Sequence, residues 1–432
     1  MKKFLVLFLS LVLLTLVFIA CGKIGDGGKI TLRFMFWGDI EEINIINNTI
    51  ARFEKAYPNI KVKAERAPSG NPYLEKVLTQ IAGNSAPDVI FVSSDDIITF
   101  AKKGLLMDLN PYIEKDKFPI KKFYQGLVNR FKYQGKLYVL PRDIAPVACL
   151  YYNKKIFDQV GVKYPKDDWT WNDMLAAAKK LTKIDKTTGQ VIHFGLCDDW
   201  NLWDGFVLNN GGFYADNIEN PKKITLDSSQ AIQAIKFRRD LVYKYKVMPN
   251  AAQLATMGGV GTSDMFMSGK TAMFLSGIWK TPMFRKIVDF DWDITMFPKG
   301  PMAKKPGFPG GGSGYGVIKV TKHPEEAWKL VTYLAGEEGQ KELALTGLAQ
   351  PAIIEMAEKY FVDDKKPKNK KMLLKACNYI IYTPFTEKWP EIIQSEIGPK
   401  MDQIWLNKNK EDIGTIMKRI MKEVNTKYFG TK

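Results

Sequence analysis

Between Ile30 and Ala64 the hydrophobic pattern switches from strand to helix and back, and this alternation constrains the fold more than any other feature of the chain. Ile30 to Trp37 (ITLRFMFW) is a dense β-prone run that ends at the polar pair Gly38-Asp39. Ile43, Ile46, Ile50 and Phe53 then recur at steps of three, four and three, which is one face of a helix, and Tyr57-Pro58-Asn59 closes it. Ile60 to Ala64 (IKVKA) restarts as a strand. A β-α-β opening favours a parallel sheet, so the chain is expected to be an α/β protein. The pattern continues with a helix marked by Leu74, Val77, Leu78 and Ile81. A strand over Asp88–Val92 follows, then the polar loop Ser93-Ser94-Asp95-Asp96 and a helix from Ile97 to Lys102.

Later segments keep to both element types. Thr170 and Asp173 fit a capping box ahead of a helix over Met174–Leu181. Ala231, Ile232, Ile235, Leu241 and Val242 support another helix. Pro324 suits the first turn of a helix carrying Ala327, Leu330, Val331 and Leu334. The Gly/Pro-rich stretch from Pro298 to Gly316 reads as a loop or crossover.

The N-terminus reads as a processing signal. Lys2 and Lys3 precede an almost wholly apolar run from Phe4 to Ala20, and Ile19-Ala20-Cys21-Gly22 follows. A basic start, a short apolar run and a small residue before the cut describe a secretory signal peptide over 1–20; a permanent membrane helix is the competing reading. Leu-Val-Phe-Ile-Ala-Cys resembles a bacterial lipobox, which implies a lipid on Cys21 and attachment to the membrane surface. Residues 21–29 are Gly-rich and read as a flexible tether. The remaining chain of about 410 residues is too long for one typical core and suits two lobes.

Composition excludes several classes. Cys149, Cys197 and Cys377 fit no zinc spacing and read as free thiols. Net charge is +17, but the lysines are scattered and the densest cluster, Lys365 to Lys371, follows two aspartates, so no nucleic-acid partner is expected. Gly269-Lys270-Thr271 fails as a phosphate loop because Asp264 stands where glycine is required. His193 and His323 have no metal-spaced partner, no metal or cofactor is implied, and no G-x-S-x-G elbow supports a catalytic serine. Asp198-Asp199 would point apart on a strand, which makes them a poor acid/base couple.

The order of signatures carries a resemblance. ITLRFMFWG is followed by FEKAYPNIKVK, APDVIFVSSDDIITFAKKGLLMDLNPYI, YQGKLYVLPRDIAPVACLYYNKKIF, LNNGGF, MSGKTAMFLSGIW and GGSGYGVIKVTKHPEEAWKLVTYL. Their shared order over nearly the whole chain resembles the extracellular solute-binding protein family that includes maltose-binding protein. That resemblance implies two α/β lobes joined by hinge crossovers, with a ligand cleft between them. Lobe one is placed at 30–143 and 298–350, and lobe two at 144–297 and 351–432. It also implies a monomer that closes on a sugar and docks on the membrane subunits of an ABC importer. A secreted glycosidase, and a binding protein for a non-sugar solute such as a polyamine or peptide, are the alternatives.

Ligands of open α/β sheets bind outside the carboxyl ends of strands. That rule selects Trp37, Gly38 and Asp39 after the first strand, Ser93, Ser94 and Asp95 after the PDVIFV strand, and Arg142 and Asp143 after LYVLP. Carboxylates accept paired sugar hydroxyls, arginine and amides donate to them, and indoles cover the apolar sugar face. Lobe two offers Trp200, Trp203, Asn209, Gly211 and Trp279, and the Gly-rich crossover offers Gly312 and Ser313. Trp389 is added from the family's habit of placing an aromatic there. Core packing for the tryptophans, capping or hinge bonding for Asp95 and Asp143, and a tight turn at Asn209–Gly212 are the plainer readings of the same residues.

Overall fold

The structure, a computed structural model, describes residues 29–256, 261–407 and 411–430. The apolar leader, Cys21 and nearly all of the tether lie outside them.

β1 (Ile30–Phe36) runs into a helix, α1 (Ile40–Ala56), whose start is fixed by local chemistry. The Asp39 carboxylate accepts from the backbone N–H groups of Glu41 (3.1 Å) and Glu42 (3.2 Å), and these two acids sit at the positive end of the helix dipole. Ile46, Ile50 and Phe53 turn inward as the spacing predicts. β2 (Ile60–Arg66) pairs parallel with β1 along its full length. The next pair is α2 (Asn71–Ala82) and β3 (Val89–Ser93), which lies parallel on the other side of β1. α3 (Ile97–Lys102) begins after the polar loop.

The chain then supplies β4 (Val139–Pro146) to the same sheet and leaves it. A second sheet follows, built from β5 (Cys149–Asn153), β6 (Cys197–Asp198), β7 (Met273–Ser276) and β8 (Trp292–Met296) in the order β6-β7-β5-β8. Its flanking helices include α4 (Trp171–Leu181), which carries the capping box expected at Thr170 and Asp173. The helix expected around Ala231 and Ile235 spans Ser229–Tyr243 and starts on a Ser228 cap.

One expectation is corrected here. The stretch read as a loop or crossover contains a ten-residue strand, β9 (Phe308–Val317), in the middle of the first sheet. β9 lies antiparallel to both β3 and β4. Its glycines are there for close approach rather than for turning. A Cβ on Gly312 would sit 2.1 Å from the Asp143 carbonyl oxygen, and one on Gly314 2.2 Å from that of Leu140. The helix after it, α5 (Pro324–Ala335), starts at Pro324 as expected, and α6 (Glu337–Thr346) follows. β10 (Gln350–Pro351) pairs with β4 at one edge and β11 (Ile380–Ile381) with β9. The seven-stranded order is β10-β4-β9-β3-β1-β2 with β11 beside β9.

Burial divides the protein into two lobes. One core joins Leu32 through Ile144 with Tyr315 through Ala335. The other joins Val147 through Phe308 with Phe361 through Val424. Ala352, Ile353 and Met356, assigned by number to lobe two, pack into the first core. Ile45, Leu343 and Leu348 form a small third cluster at the seam, and the Trp279 ring packs on it. No described helix is long and apolar enough to cross a membrane. Cys149, Cys197 and Cys377 are free thiols, and burial raises all three above the usual thiol range.

Candidate ligand-binding cleft

The carboxyl ends of β1 and β3 and the middle of β4 open onto a cavity of about 580 Å³ between the lobes. Arg142 and Asp143, expected just past a strand that ends at Pro141, lie within β4, because pairing with β9 carries the strand on to Pro146. Trp37, Gly38 and Asp39 reach it from β1, Ser93, Ser94 and Asp95 from β3, and Arg142 and Asp143 from β4. Gly312 and Ser313 reach it from β9, and Trp200 and Trp279 face it from lobe two. Twelve of the sixteen residues selected from the sequence therefore line one cavity.

Each is held by its neighbours. The Trp37 ring lies 4.1 Å from Phe91 and, edge-on, 4.8 Å from Tyr73, so aromatic packing sets its plane. Ser94 accepts from Gly312 N–H through its hydroxyl (3.3 Å) and donates its own N–H to the Gly312 carbonyl (2.9 Å). Trp279 follows Gly277, where a Cβ would lie 2.0 Å from the indole; glycine leaves the ring room to fold back. Trp200 stacks on Trp279 with ring centres 5.8 Å apart and planes 14° from parallel. It is 57% exposed and sits at φ +35°, followed by Asn201 at +57°, a left-handed pair that lifts the indole into the cleft.

The floor is a buried charge network. Arg142 donates from Nε to Asp143 (2.6 Å) and from Nη1 to Glu42, and its guanidinium lies 4.3 Å over the Phe91 ring. Asp143 also accepts from the Ser313 hydroxyl (2.6 Å) and N–H (3.3 Å). Burial raises Glu42 above the usual carboxylate range, only partly offset by Arg142. The Arg142 charge is thus matched within the protein. Asp143 ties β4 to β9 within the first sheet.

Around Trp37, Ser93, Asp95 and Trp200 the cleft continues into a second compartment of about 520 Å³. Trp389, Pro390, Ile393 and Gln394 wall it from lobe two, and Asn71, Tyr73 and Asp96 from lobe one. Trp389 stands here, edge-on to Tyr214 at 5.3 Å. Asp95 accepts from the Thr383 hydroxyl (2.7 Å), and burial raises its carboxyl.

Three selected residues lie apart from both compartments. Asn209 is fully buried and donates to the carbonyls of Phe297 (3.1 Å) and Pro298 (2.9 Å), so its amide is spent on the fold. Gly211, at φ +83°, belongs to the tight turn and opens on a separate surface hollow. Trp203 begins a short helix (Trp203–Asn209) and packs against the second core. The doublet Asp198-Asp199 also divides as expected. Asp198 pairs with Arg238 (2.6 Å), and Asp199 accepts from Ser276 (2.9 Å) and faces Lys280 (3.3 Å).

Sequence reasoning missed Arg66, Glu42, Lys280, Asp96 and the 389–394 wall beyond Trp389. Arg66 ends β2, so the strand-end rule reaches it directly. Glu42 lies in the first turn after the selected loop. Gln394 carries no sequence signal; it enters the cleft from a π-helical segment, Ile392–Ile397.

The family of bacterial extracellular solute-binding proteins matches residues 38–341. This chain belongs to that family. An arabinooligosaccharide-binding protein of Halalkalibacterium halodurans is 25% identical over 331 residues, 74% of this chain and 71% of the relative. A maltodextrin-binding protein of Bacillus subtilis is 27% identical over 59% of this chain and 58% of its own. Among solved structures, an ABC substrate-binding protein of Listeria monocytogenes in complex with cycloalternan superposes with a TM-score of 0.82. It is 27% identical and covers 94% of this chain and 100% of its own. The maltose-bound MalE3 of T. maritima superposes at 0.78 and 21% identity over 91% and 99%, which shows the same two-lobed fold.

Proposed function

We propose that this solute-binding protein is the substrate-binding lipoprotein of a sugar ABC importer. It captures a mono- or oligosaccharide by closure of its lobes and delivers it to the membrane permease. The observation that carries this reading is one cleft lined by indoles from opposite lobes, Trp37 from one and Trp200 and Trp279 from the other, together with the polar side chains Ser93, Asp95 and Arg66. Indole faces and convergent polar groups together are the chemistry of sugar recognition. Relatives named for arabinooligosaccharide and maltodextrin binding support it.

In this reading the residues lining the first compartment bind the ligand, with Trp389 serving the second. Hinge crossovers lie near 143, 298 and 350. Closure is driven by the ligand's tighter binding to the closed form. The chain acts as a monomer outside the cytoplasm, held to the membrane by lipid on Cys21. A thermal-shift screen of mono-, di- and oligosaccharides, uronates included, tests it, because a ligand of the folded state raises the melting temperature. A saccharide that raises it in the wild type and fails to do so in Trp279→Ala supports the assignment. No response to any saccharide overturns it.

A further inference from the structure

The two compartments differ in charge. The first contains Arg66, Arg142 and Lys280 beside its acids. Among the described residues that line the second there is no lysine, arginine or histidine, while Asp95 and Asp96 both face it, together with the indoles of Trp37, Trp200 and Trp389. Asp95 is partly compensated, by the Thr383 hydroxyl and by the nearby Arg130 guanidinium, whose Nε donates to the Ser94 carbonyl (3.0 Å). Asp96 is not compensated. Its carboxylate makes no cap bond to α3 and has no hydrogen-bond or ion-pair partner among the described residues. The remaining titratable group against it is the Tyr73 phenol, whose hydroxyl is bonded to the Met35 (2.9 Å) and Phe91 (2.8 Å) carbonyls.

We propose that the second compartment selects a sugar unit carrying a protonated amino group, with Asp96 as the specificity-determining residue; this rests on the carbohydrate reading of the cleft. An unmatched carboxylate walled by indole faces favours an organic cation, since carboxylate and ring quadrupole both attract the same charge. A metal ion fits less well, because no group of three metal-ligating side chains occurs among the described residues. Burial and the neighbouring Asp95 push the Asp96 carboxyl up to about 7. An arriving ammonium group therefore relieves a cost already present in the empty protein.

The test is calorimetric titration of the full chain at pH 7 with the β-1,4 glucosamine trimer and its neutral counterpart cellotriose, with maltotriose, mannotriose and arabinotriose alongside. The wild type is expected to bind the amino trimer at least tenfold more tightly than cellotriose, and Asp96→Asn to bring that ratio below twofold. Asp96→Ser serves as a second variant, with a thermal melt confirming that each is folded. The inference is overturned if the wild type binds a neutral trimer as tightly as the amino trimer, or if both folded variants keep the preference. Binding of none of the five sugars overturns the inference, while the carbohydrate reading itself falls only if the wider thermal-shift screen also finds no saccharide.

Discussion

Asp143 fixes three donors at once, the Arg142 guanidinium and the hydroxyl and N–H of Ser313. Its removal leaves a buried cation with half its partners and a buried hydroxyl with none. Asp143→Ala should therefore cost about 3–5 kcal/mol in urea unfolding and weaken ligand binding as a consequence of a loosened floor. Trp279 has a different profile. Its ring packs on the seam cluster and on Trp200, at the surface of the core rather than inside it. Trp279→Ala should lower affinity at least tenfold in titration calorimetry while shifting stability less than Asp143→Ala does. Asp96 makes a prediction in pH. Its folded-state value near 7 stands well above that of an unfolded aspartate, so the native state holds the extra proton between about pH 4 and 7. Stability associated with that proton is complete below about pH 4 and is lost as pH rises through 7. Asp96→Asn should melt above the wild type at pH 8, and the two melting curves should converge by pH 4.

At the level of elements, the strands were legible because dense β-prone runs and period-three-to-four patterns alternate between Ile30 and Lys102. The polar residues just past β1 and around the end of β3 then line the cleft, whereas Arg142 and Asp143 line it from within β4. β9 was not legible. Proline and five glycines within ten residues carry the composition of a loop, and only the neighbouring backbone, close enough to exclude a methyl group, explains why they form a central strand. Gly312→Ala should break the β4–β9 pairing and cost about 1–3 kcal/mol or more in urea unfolding. The lobe-two wall was legible only where an aromatic marked it. Trp200 and Trp279 stood out by type, whereas Gln394 depends on a π-helical turn that no side-chain pattern announces. Asn209 misled because an amide beside glycines suits a ligand and a buried turn equally, and here the Phe297 and Pro298 carbonyls take its amide N–H groups.

Across the whole molecule, the lobes touch at the cleft rim as well as through the hinge. Asn71 meets Gln394, Lys286 meets Glu41, and Lys102 meets Glu387 at 2.7 Å. Two of these are exposed ion pairs, each worth no more than about 1 kcal/mol and weakened by salt. Small-angle scattering of the ligand-free chain should show a larger radius of gyration in 1 M salt than at low ionic strength, and saturating ligand should abolish the difference.

The position of β9 in the middle of the first sheet has a consequence for biosynthesis. β3 and β4 are both made early, yet they have no common neighbour until residues 308–317 leave the ribosome, almost three quarters of the way along the chain. A nascent polypeptide ending before that point holds an interrupted sheet with open edges, and its amino-terminal third cannot lock. Such late completion postpones closure of the first sheet until most of the polypeptide has been made.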